Sequence, residues 1–175
     1  MTPEVDAPLH DDVGPVVVRP ADGNDLEGVV AVGRAAWHRT YQSLYPPELV
    51  ELFIDKWWTP AANVPSIRAG RTLVADRDGE IVGMLSYGAS DGRFIVWKIY
   101  VHPDAQGHGI GGRLLAAVEE RALGHDAVYL SFTAGNDHAE AFALAHGFVH
   151  DSREEQNGLP DLVWMRRDLE RKDMR

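Results

Sequence analysis

The spacing of apolar residues divides the first part of the chain into one strand, two helices and a loop. Residues 16–18 form a β-branched run, which predicts a strand. In the first predicted helix the apolar positions recur at three- and four-residue steps, which places them on one face: Leu26, Val29, Val30, Gly33, Trp37 and Tyr41. Two prolines open the second predicted helix, whose apolar positions are Leu49, Leu52, Phe53 and Trp57. Residues 59–70 are predicted to be a loop.

The rest of the chain predicts a hairpin followed by alternating helices and strands. The turn residues Asp76-Arg77-Asp78-Gly79 separate two apolar runs, which is typical of a β-hairpin. The predicted elements are strands at 72–75, 81–87 and 94–101, a helix at 109–123, a strand at 127–132, a helix at 137–146, and strands at 148–151 and 162–166. This order predicts one α/β domain built around a single mixed sheet.

Both ends of the chain are polar, and two runs of charged residues lie near the C-terminus. We predict a flexible arm at residues 1–14, one domain at 15–170 and a tail at 171–175. Within the domain, Arg153-Glu154-Glu155 is predicted to be a solvated loop. The charged run at 166–172 is predicted to be exposed, as the start of the tail.

Composition narrows the class of protein. The chain has 175 residues, 45% apolar and 25% charged, which fits one globular domain and excludes global disorder or a collagen-like repeat. It has no cysteine, which excludes disulfides and a cysteine nucleophile. The first residues are acidic where a signal peptide is basic and then apolar, so a cytoplasmic protein is expected.

Charge narrows the class of partner. A formal net charge of -10 disfavours nucleic acid and anionic membranes as partners. This negative charge is compatible with attraction of cationic amines, and equally with a charge that only keeps the protein soluble. The eight histidines show no H-E-x-x-H spacing, so no metal site is expected.

A glycine-rich turn between a predicted strand and a predicted helix is the most informative segment. It contains Gly107, Gly109, Gly111 and Gly112. Glycine permits positive φ and close approach to main-chain amides, and the helix that follows presents unpaired N–H groups. The segment therefore predicts a phosphate or pyrophosphate site.

Two other phosphate-binding motifs fit this segment less well. Gly107, Gly109 and Gly112 satisfy G-x-G-x-x-G, but several residues separate them from the strand, and the next strand ends without an acid. The Gly-Lys-Ser/Thr of a nucleoside triphosphate loop is missing. An NAD-binding oxidoreductase domain remains a weaker alternative.

The residues around this turn resemble the GNAT-type N-acetyltransferases. Gln106, Gly109 and Gly111 fill the family pattern Q/R-x-x-G-x-G/A, in the usual context of V-H-P before it and G-R-L-L after it. A second family element, an Asn followed by an Ala-rich helix and Gly-Phe, is matched by Asn136, Ala139, Phe142, Gly147 and Phe148. The resemblance covers about residues 16–169. It implies a GNAT fold, in which about seven mainly antiparallel strands are flanked by four helices.

The resemblance also implies acetyl-CoA, or another acyl-CoA, as the donor. Glycine amides would hold the pyrophosphate, and the main chain at the end of the fourth strand would pair with the pantetheine arm and polarise the thioester. The implied donor-binding residues are Ile99, Tyr100, Val101, Gln106, Gly107, His108, Gly109, Ile110, Gly111, Gly112, Arg113 and Asn136.

The expected catalytic side chains depart from the family pattern. Many members carry a Tyr seven residues after the Asn, and here that position is Ala143. Many carry a Glu on the fourth strand, and residues 94–100 contain no acid. Tyr100, Ser131 and Asn136 are the candidate catalytic residues, with His138 as a further substitute, and proton transfer through ordered water is an equal alternative. These departures also leave open a non-catalytic module that binds or senses acyl-CoA.

The acceptor site is expected between the first two helices and the loop of the last strands. Trp37, Tyr41 and Tyr45 would form an aromatic wall for an amine, from a small molecule or a peptide. The alternative is that Trp37 and Tyr41, four residues apart, are simply the core face of their helix. Trp57-Trp58 is assigned to packing or to a dimer surface, and a homodimer is compatible with the exposed aromatics.

Overall fold

The computed structural model describes residues 14–170, which form seven strands and five helices. Both the tail at 171–175 and the predicted arm, apart from Gly14, lie outside the described residues. The elements are β1 (Val16–Pro20), α1 (Leu26–Tyr41), α2 (Pro47–Trp57), α3 (Pro60–Arg68), β2 (Thr72–Arg77), β3 (Glu80–Ser90), β4 (Arg93–Val101), α4 (Ile110–Glu119), β5 (Ala127–Thr133), α5 (Asp137–Ala145), β6 (Val149–Gln156) and β7 (Leu159–Asp168).

The seven strands form one mixed sheet in the order β1-β2-β3-β4-β5-β7-β6. Every neighbouring pair is antiparallel except β4 and β5, which are parallel because α4 crosses between them. The predicted single mixed, mainly antiparallel sheet is confirmed. In the described part of the chain no helix is both long and apolar enough to cross a membrane.

The sheet is covered on both faces. Leu73 and Ala75 of β2 pack into the hydrophobic cluster that contains α4 and α5, whereas Val74 between them packs into the cluster that contains α1, α2 and α3. This alternation is the two-residue period of a strand buried on both sides. The central strands therefore hold α4 and α5 on one face and α1, α2 and α3 on the other.

The predicted loop at 59–70 is wrong, because residues 60–68 form α3. Thr59 caps this helix, its hydroxyl accepting a hydrogen bond of 3.2 Å from the Ala62 amide. Pro60 occupies the first turn, where a missing N–H costs nothing. Asn63 and Ile67 are its buried residues. The sheet is thus flanked by five helices instead of the predicted four.

The C-terminal strands are longer than predicted. Arg153-Glu154-Glu155 lies within β6 instead of in a loop, and residues 166–168 belong to β7. Every residue of β6 up to Glu155 is exposed, so apolar and polar residues do not alternate along this strand. The strand is defined by its pairing with β7.

Two helices also differ in detail from the prediction. In α2 the buried positions are Val50 and Ile54, whereas Leu52, one of the apolar positions of the prediction, is 60% exposed. Helix α4 ends at Glu119, and residues 120–122 continue as a single 3₁₀ turn. Such tightening of a last turn is common at helix ends.

Candidate functional site

The parallel strands β4 and β5 separate partway along their length. They pair at Phe94–Val128, Ile95–Tyr129 and Val96–Leu130, and the described residues show no pair beyond these three. A gap therefore opens in the middle of the sheet, on the side of the glycine-rich turn.

The main chain of β4 faces this gap at two positions. The His102 amide donates to the Val82 carbonyl on β3, at 2.8 Å. Because main-chain groups alternate in direction along a strand, those of Ile99 and Val101 point away from β3 and into the gap. The Val101 carbonyl is already held by the Gln106 side-chain amide at 3.2 Å.

The glycines at the start of α4 serve two different purposes. Gly107 and Gly109 have φ of 85° and 75°, and a Cβ on either residue would meet no atom within 4 Å. They are needed for a left-handed backbone beside open space. A Cβ on Gly111 would lie 2.9 Å from the Phe142 ring, and one on Gly112 would lie 2.8 Å from His146 Nε2. These two glycines allow α5 to approach the start of α4.

The gap and the glycine turn line one cavity of about 340 Å³, which we call the donor groove. Its lining includes most of the predicted donor-binding residues: Ile99, Tyr100, Val101, Gln106, Gly107, Gly109, Ile110, Gly111, Gly112 and Asn136. His108 and Arg113 are exposed and lie outside this lining. Among the lining residues that were not predicted for the donor site, one group lies on α5 and at its C-terminal end: His138, Ala139, Phe142 and His146. Their helical spacing was the available signal.

Asn136 joins the groove to α5. Its side-chain oxygen accepts from the Ala139 amide at 3.1 Å and so caps the helix. Because that oxygen is engaged by the main chain, the side-chain NH₂ is the group that remains to donate within the groove.

A second cavity of about 390 Å³, the acceptor cavity, lies beside α1 and α2. Its lining residues are Trp37, Tyr41, Tyr45, Phe53, Trp57, Trp58, Trp97, Lys98, Tyr100, Ser131, Phe132, Thr133, Gln156, Leu159, Leu162 and Trp164. Trp37, Tyr41 and Tyr45 line this cavity and are also buried core residues. Trp58 is fully buried and therefore belongs to packing, whereas Trp57 is partly exposed.

The two cavities share six lining residues, so they meet: Tyr41, Trp97, Lys98, Tyr100, Ser131 and Phe132. At this junction the Tyr100 hydroxyl accepts from Trp37 Nε1 at 3.1 Å. Burial raises the pKa of Tyr100 well above its ordinary value, and burial also raises the pKa of Tyr41. Both phenols are therefore neutral at physiological pH. The candidates Tyr100 and Ser131 are thus brought to the place where the two cavities join.

Lys98 lies at the same junction and was missed by sequence reasoning. Its ammonium donates to Asn63 Oδ1 at 3.1 Å and lies 4.4 Å from the centre of the Trp58 ring. Burial lowers the pKa of Lys98. The available signal was one cationic residue within the apolar run at 94–101, a run noted only for its lack of an acid.

The position seven residues after Asn136 has no room for a phenol. Ala143, at the position where many members of the resembled family have Tyr, is fully buried against the sheet, so a tyrosine would not fit there. Across the described residues, no group of three or more His, Asp or Glu is arranged to hold a metal ion.

Known proteins share this sequence pattern and architecture. The chain is 29% identical over 104 residues to a Mycobacterium tuberculosis protein named "Probable N-acetyltransferase", a match that spans 56% of this chain and 60% of that relative. The structure of PaiA N-acetyltransferase from Thermoplasma acidophilum, in complex with coenzyme A, superposes with a TM-score of 0.79 at 20% identity, covering 89% of this chain and 99% of that one. A ribosomal-protein-alanine N-acetyltransferase from Brucella melitensis superposes with a TM-score of 0.64 at 26% identity, covering 87% and 99%.

The family itself is shown by the sequence match. The model of the acetyltransferase (GNAT) family matches residues 32–148, which include the C-terminal part of α1, the gap between β4 and β5, the glycine turn and α5. The chain belongs to the acetyltransferase (GNAT) family.

Proposed function

We propose that the protein is an N-acetyltransferase that moves an acetyl group from acetyl-CoA to a primary amine. The observation that carries this proposal is the meeting of two cavities at the gap between β4 and β5. One cavity offers main-chain donors and a helix N-terminus, and the other is lined mostly by aromatic rings. This arrangement suits direct attack in a ternary complex, because both substrates reach the same junction from opposite sides.

The donor groove fits a CoA thioester. The amides at the start of α4 follow two left-handed glycines beside open space, so a pyrophosphate could approach them closely. The main-chain groups of Ile99 and the Val101 amide would pair with the amides of a pantetheine arm as an added strand, while the Val101 carbonyl stays with Gln106. The Asn136 NH₂ would donate to the same arm. No other described side chain is required for this mode of binding.

The chemistry at the junction consists of one bond exchange. The amine nitrogen attacks the thioester carbon, the C–N bond forms, the C–S bond breaks, and CoA leaves as a thiolate that takes up a proton. A main-chain N–H of β4 would polarise the carbonyl. Tyr100 would supply the proton at the junction, where Trp37 Nε1 donates to its oxygen and its hydroxyl also interacts with that of Tyr41. It would regain that proton from the amine through water.

This mechanism has no carboxylate side chain, among the described lining residues, that could act as its general base. Among the described residues, neither cavity is lined by Asp or Glu. An unprotonated amine would therefore bind directly from solvent, or lose its proton through water. The same observation favours the second candidate, a non-catalytic module that binds acyl-CoA, and turnover separates the two.

The test incubates purified protein with acetyl-CoA and a pooled panel of polyamines, amino acids and short peptides. Free CoA thiol would be followed with time, and acetylated products identified by mass spectrometry, against a no-enzyme control. An acetylated amine is the expected result. Folded protein that binds CoA and acetylates none of these amines would favour the binding module.

A further inference from the structure

The described lining of the acceptor cavity contains almost no charged side chains. Among its described lining residues the one charged side chain is Lys98, a cation. All the others are aromatic, aliphatic or neutral polar groups. A polycationic acceptor would therefore meet a like charge in this cavity and no carboxylate. The chain as a whole has a net charge of -10, but no acidic residue is among the described residues that line this cavity.

The Lys98 ammonium is held in a fixed place. Asn63 is 2% exposed, and its NH₂ donates to the carbonyls of Trp57 at 3.0 Å and Thr59 at 2.8 Å. Both hydrogens of the amide are thereby used, so its oxygen is directed at Lys98. The Trp58 ring supports the ammonium from a second side.

This ammonium is partly desolvated and has no counter-ion in the described part of the chain. No salt bridge between described residues includes Lys98, and burial is the cause of the lowering of its pKa. A neutral amide oxygen and an aromatic face stabilise a cation less than a carboxylate does. Burial without a counter-ion disfavours the charged form of Lys98, so a bound anion would stabilise the ammonium at this place.

The position of Lys98 limits where that anion lies in the acceptor. Because Lys98 lines both cavities, an anion paired with it is close to the place where the amine must meet the thioester. In an α-amino acid a single carbon separates the amine from the carboxylate. The side chain of such an acceptor would extend into the aromatic part of the cavity, between Trp37, Phe53 and Trp57.

We propose that the acceptor is an apolar or aromatic α-amino acid whose carboxylate pairs with Lys98 while its amine faces the donor groove. This inference rests on the proposed acetyl transfer and names its substrate class. One ammonium matches the single charge of a carboxylate, whereas a phosphate monoester requires more donors than this wall supplies. Lys98 would act by binding and orienting the acceptor.

The test compares free amino acids with their primary amides, which have the same shape without the negative charge. Phenylalanine, tryptophan, leucine and methionine would each be paired with the corresponding amide, and kcat/KM measured with acetyl-CoA. The protein is expected to prefer the acid over the amide about 10- to 100-fold in at least one pair. In Lys98→Met the acid-to-amide ratio is expected to fall at least about 10-fold below that of the unmodified protein, mainly through KM for the acid.

Two further variants separate charge from packing. Lys98→Arg keeps the charge and is expected to retain most of the preference for the acid. Arg68→Met removes an exposed cation from α3, outside the lining of both cavities, and is expected to leave the preference unchanged. Because each ratio is measured within one variant, a smaller folded fraction does not alter it.

The outcomes also separate this inference from the proposed function. An acid-to-amide ratio that is the same in Lys98→Met and the unmodified protein overturns the inference. So does turnover confined to amides, polyamines or peptides, although that result leaves acetyl transfer in place. A folded, CoA-binding protein that acetylates no amine overturns both.

Discussion

The Trp58 ring occupies the space that a side chain on Gly33 would fill. A Cβ at Gly33 would lie 1.9 Å from Trp58 Cε3. Helix α1 and the start of α3 approach each other closely here, and Trp58 in turn lies beneath the Lys98 ammonium. A glycine in α1 thus fixes one wall of the acceptor cavity.

Gly33→Ala is therefore expected to destabilise the protein, because the ring must move out of a packed core. The expected loss is about 2–3 kcal/mol in the free energy of unfolding, despite the better helix propensity of alanine. Denaturant unfolding measures it. Gly23→Ala is the control, since a Cβ there meets no atom within 4 Å. Equal effects of the two substitutions would contradict the close packing.

Gly109 and Gly92 provide a matched pair for the donor groove. Both have φ of 75°, and a Cβ on either would meet no atom within 4 Å, but Gly92 lies in the turn between β3 and β4. Substitution by valine strains both backbones by about the same amount. Only Gly109→Val is expected to lower the affinity for CoA, by at least about 10-fold, as measured by calorimetry. A similar loss in Gly92→Val would show that global destabilisation is the cause.

The sequence predicted those parts of the fold in which the residues of a segment themselves determine its backbone conformation. Asp78 and Gly79 both have positive φ, so the hairpin turn could be identified from residue type alone. The turn before α4 was identified for the same reason, through Gly107 and Gly109. Here the backbone conformation restricts the residue type directly.

The parts that were missed depend on tertiary contacts. Helix α3 has prolines at 60 and 65 and a buried Asn63, which locally are typical of a loop. Strand β6 is defined by pairing with β7 rather than by its hydropathy. The role of Lys98 depends on Asn63 and Trp58, which come from a different part of the chain. Its environment could not be derived from spacing along β4.

Asn136→Asp is expected to separate helix capping from donor binding. Aspartate keeps an oxygen that can accept from the Ala139 amide, so α5 remains capped and the melting temperature stays within about 2 °C. It replaces the NH₂ donor with a carboxylate, so KM for acetyl-CoA is expected to rise about 10-fold or more. Asn136→Ala is the companion variant and is expected to lose both stability and affinity. An unchanged KM in Asn136→Asp would remove Asn136 from the donor site.

Tyr100→Phe tests the proposed proton donor. The hydroxyl lies at the junction of the two cavities, and its removal is expected to lower kcat about 100-fold while KM for acetyl-CoA changes little. Tyr45→Phe is the control, because Tyr45 lines only the acceptor cavity and hydrogen-bonds Thr133 at 3.3 Å. Its kcat is expected to stay within a few-fold of the unmodified protein.

The pH dependence of kcat gives a second, independent test of Tyr100. Burial raises its pKa well above the ordinary value of 10.0, so the phenol keeps its proton as pH rises through that value. A general acid must be protonated to act, and we therefore expect kcat not to fall with rising pH between about 8 and 10. Full pH profiles of the unmodified protein and Tyr100→Phe would be compared with a substrate at saturation. An alkaline fall in kcat below pH 10 that is present in the unmodified protein and absent from Tyr100→Phe would mean that the phenol ionises near its ordinary pKa, contrary to its burial at the junction.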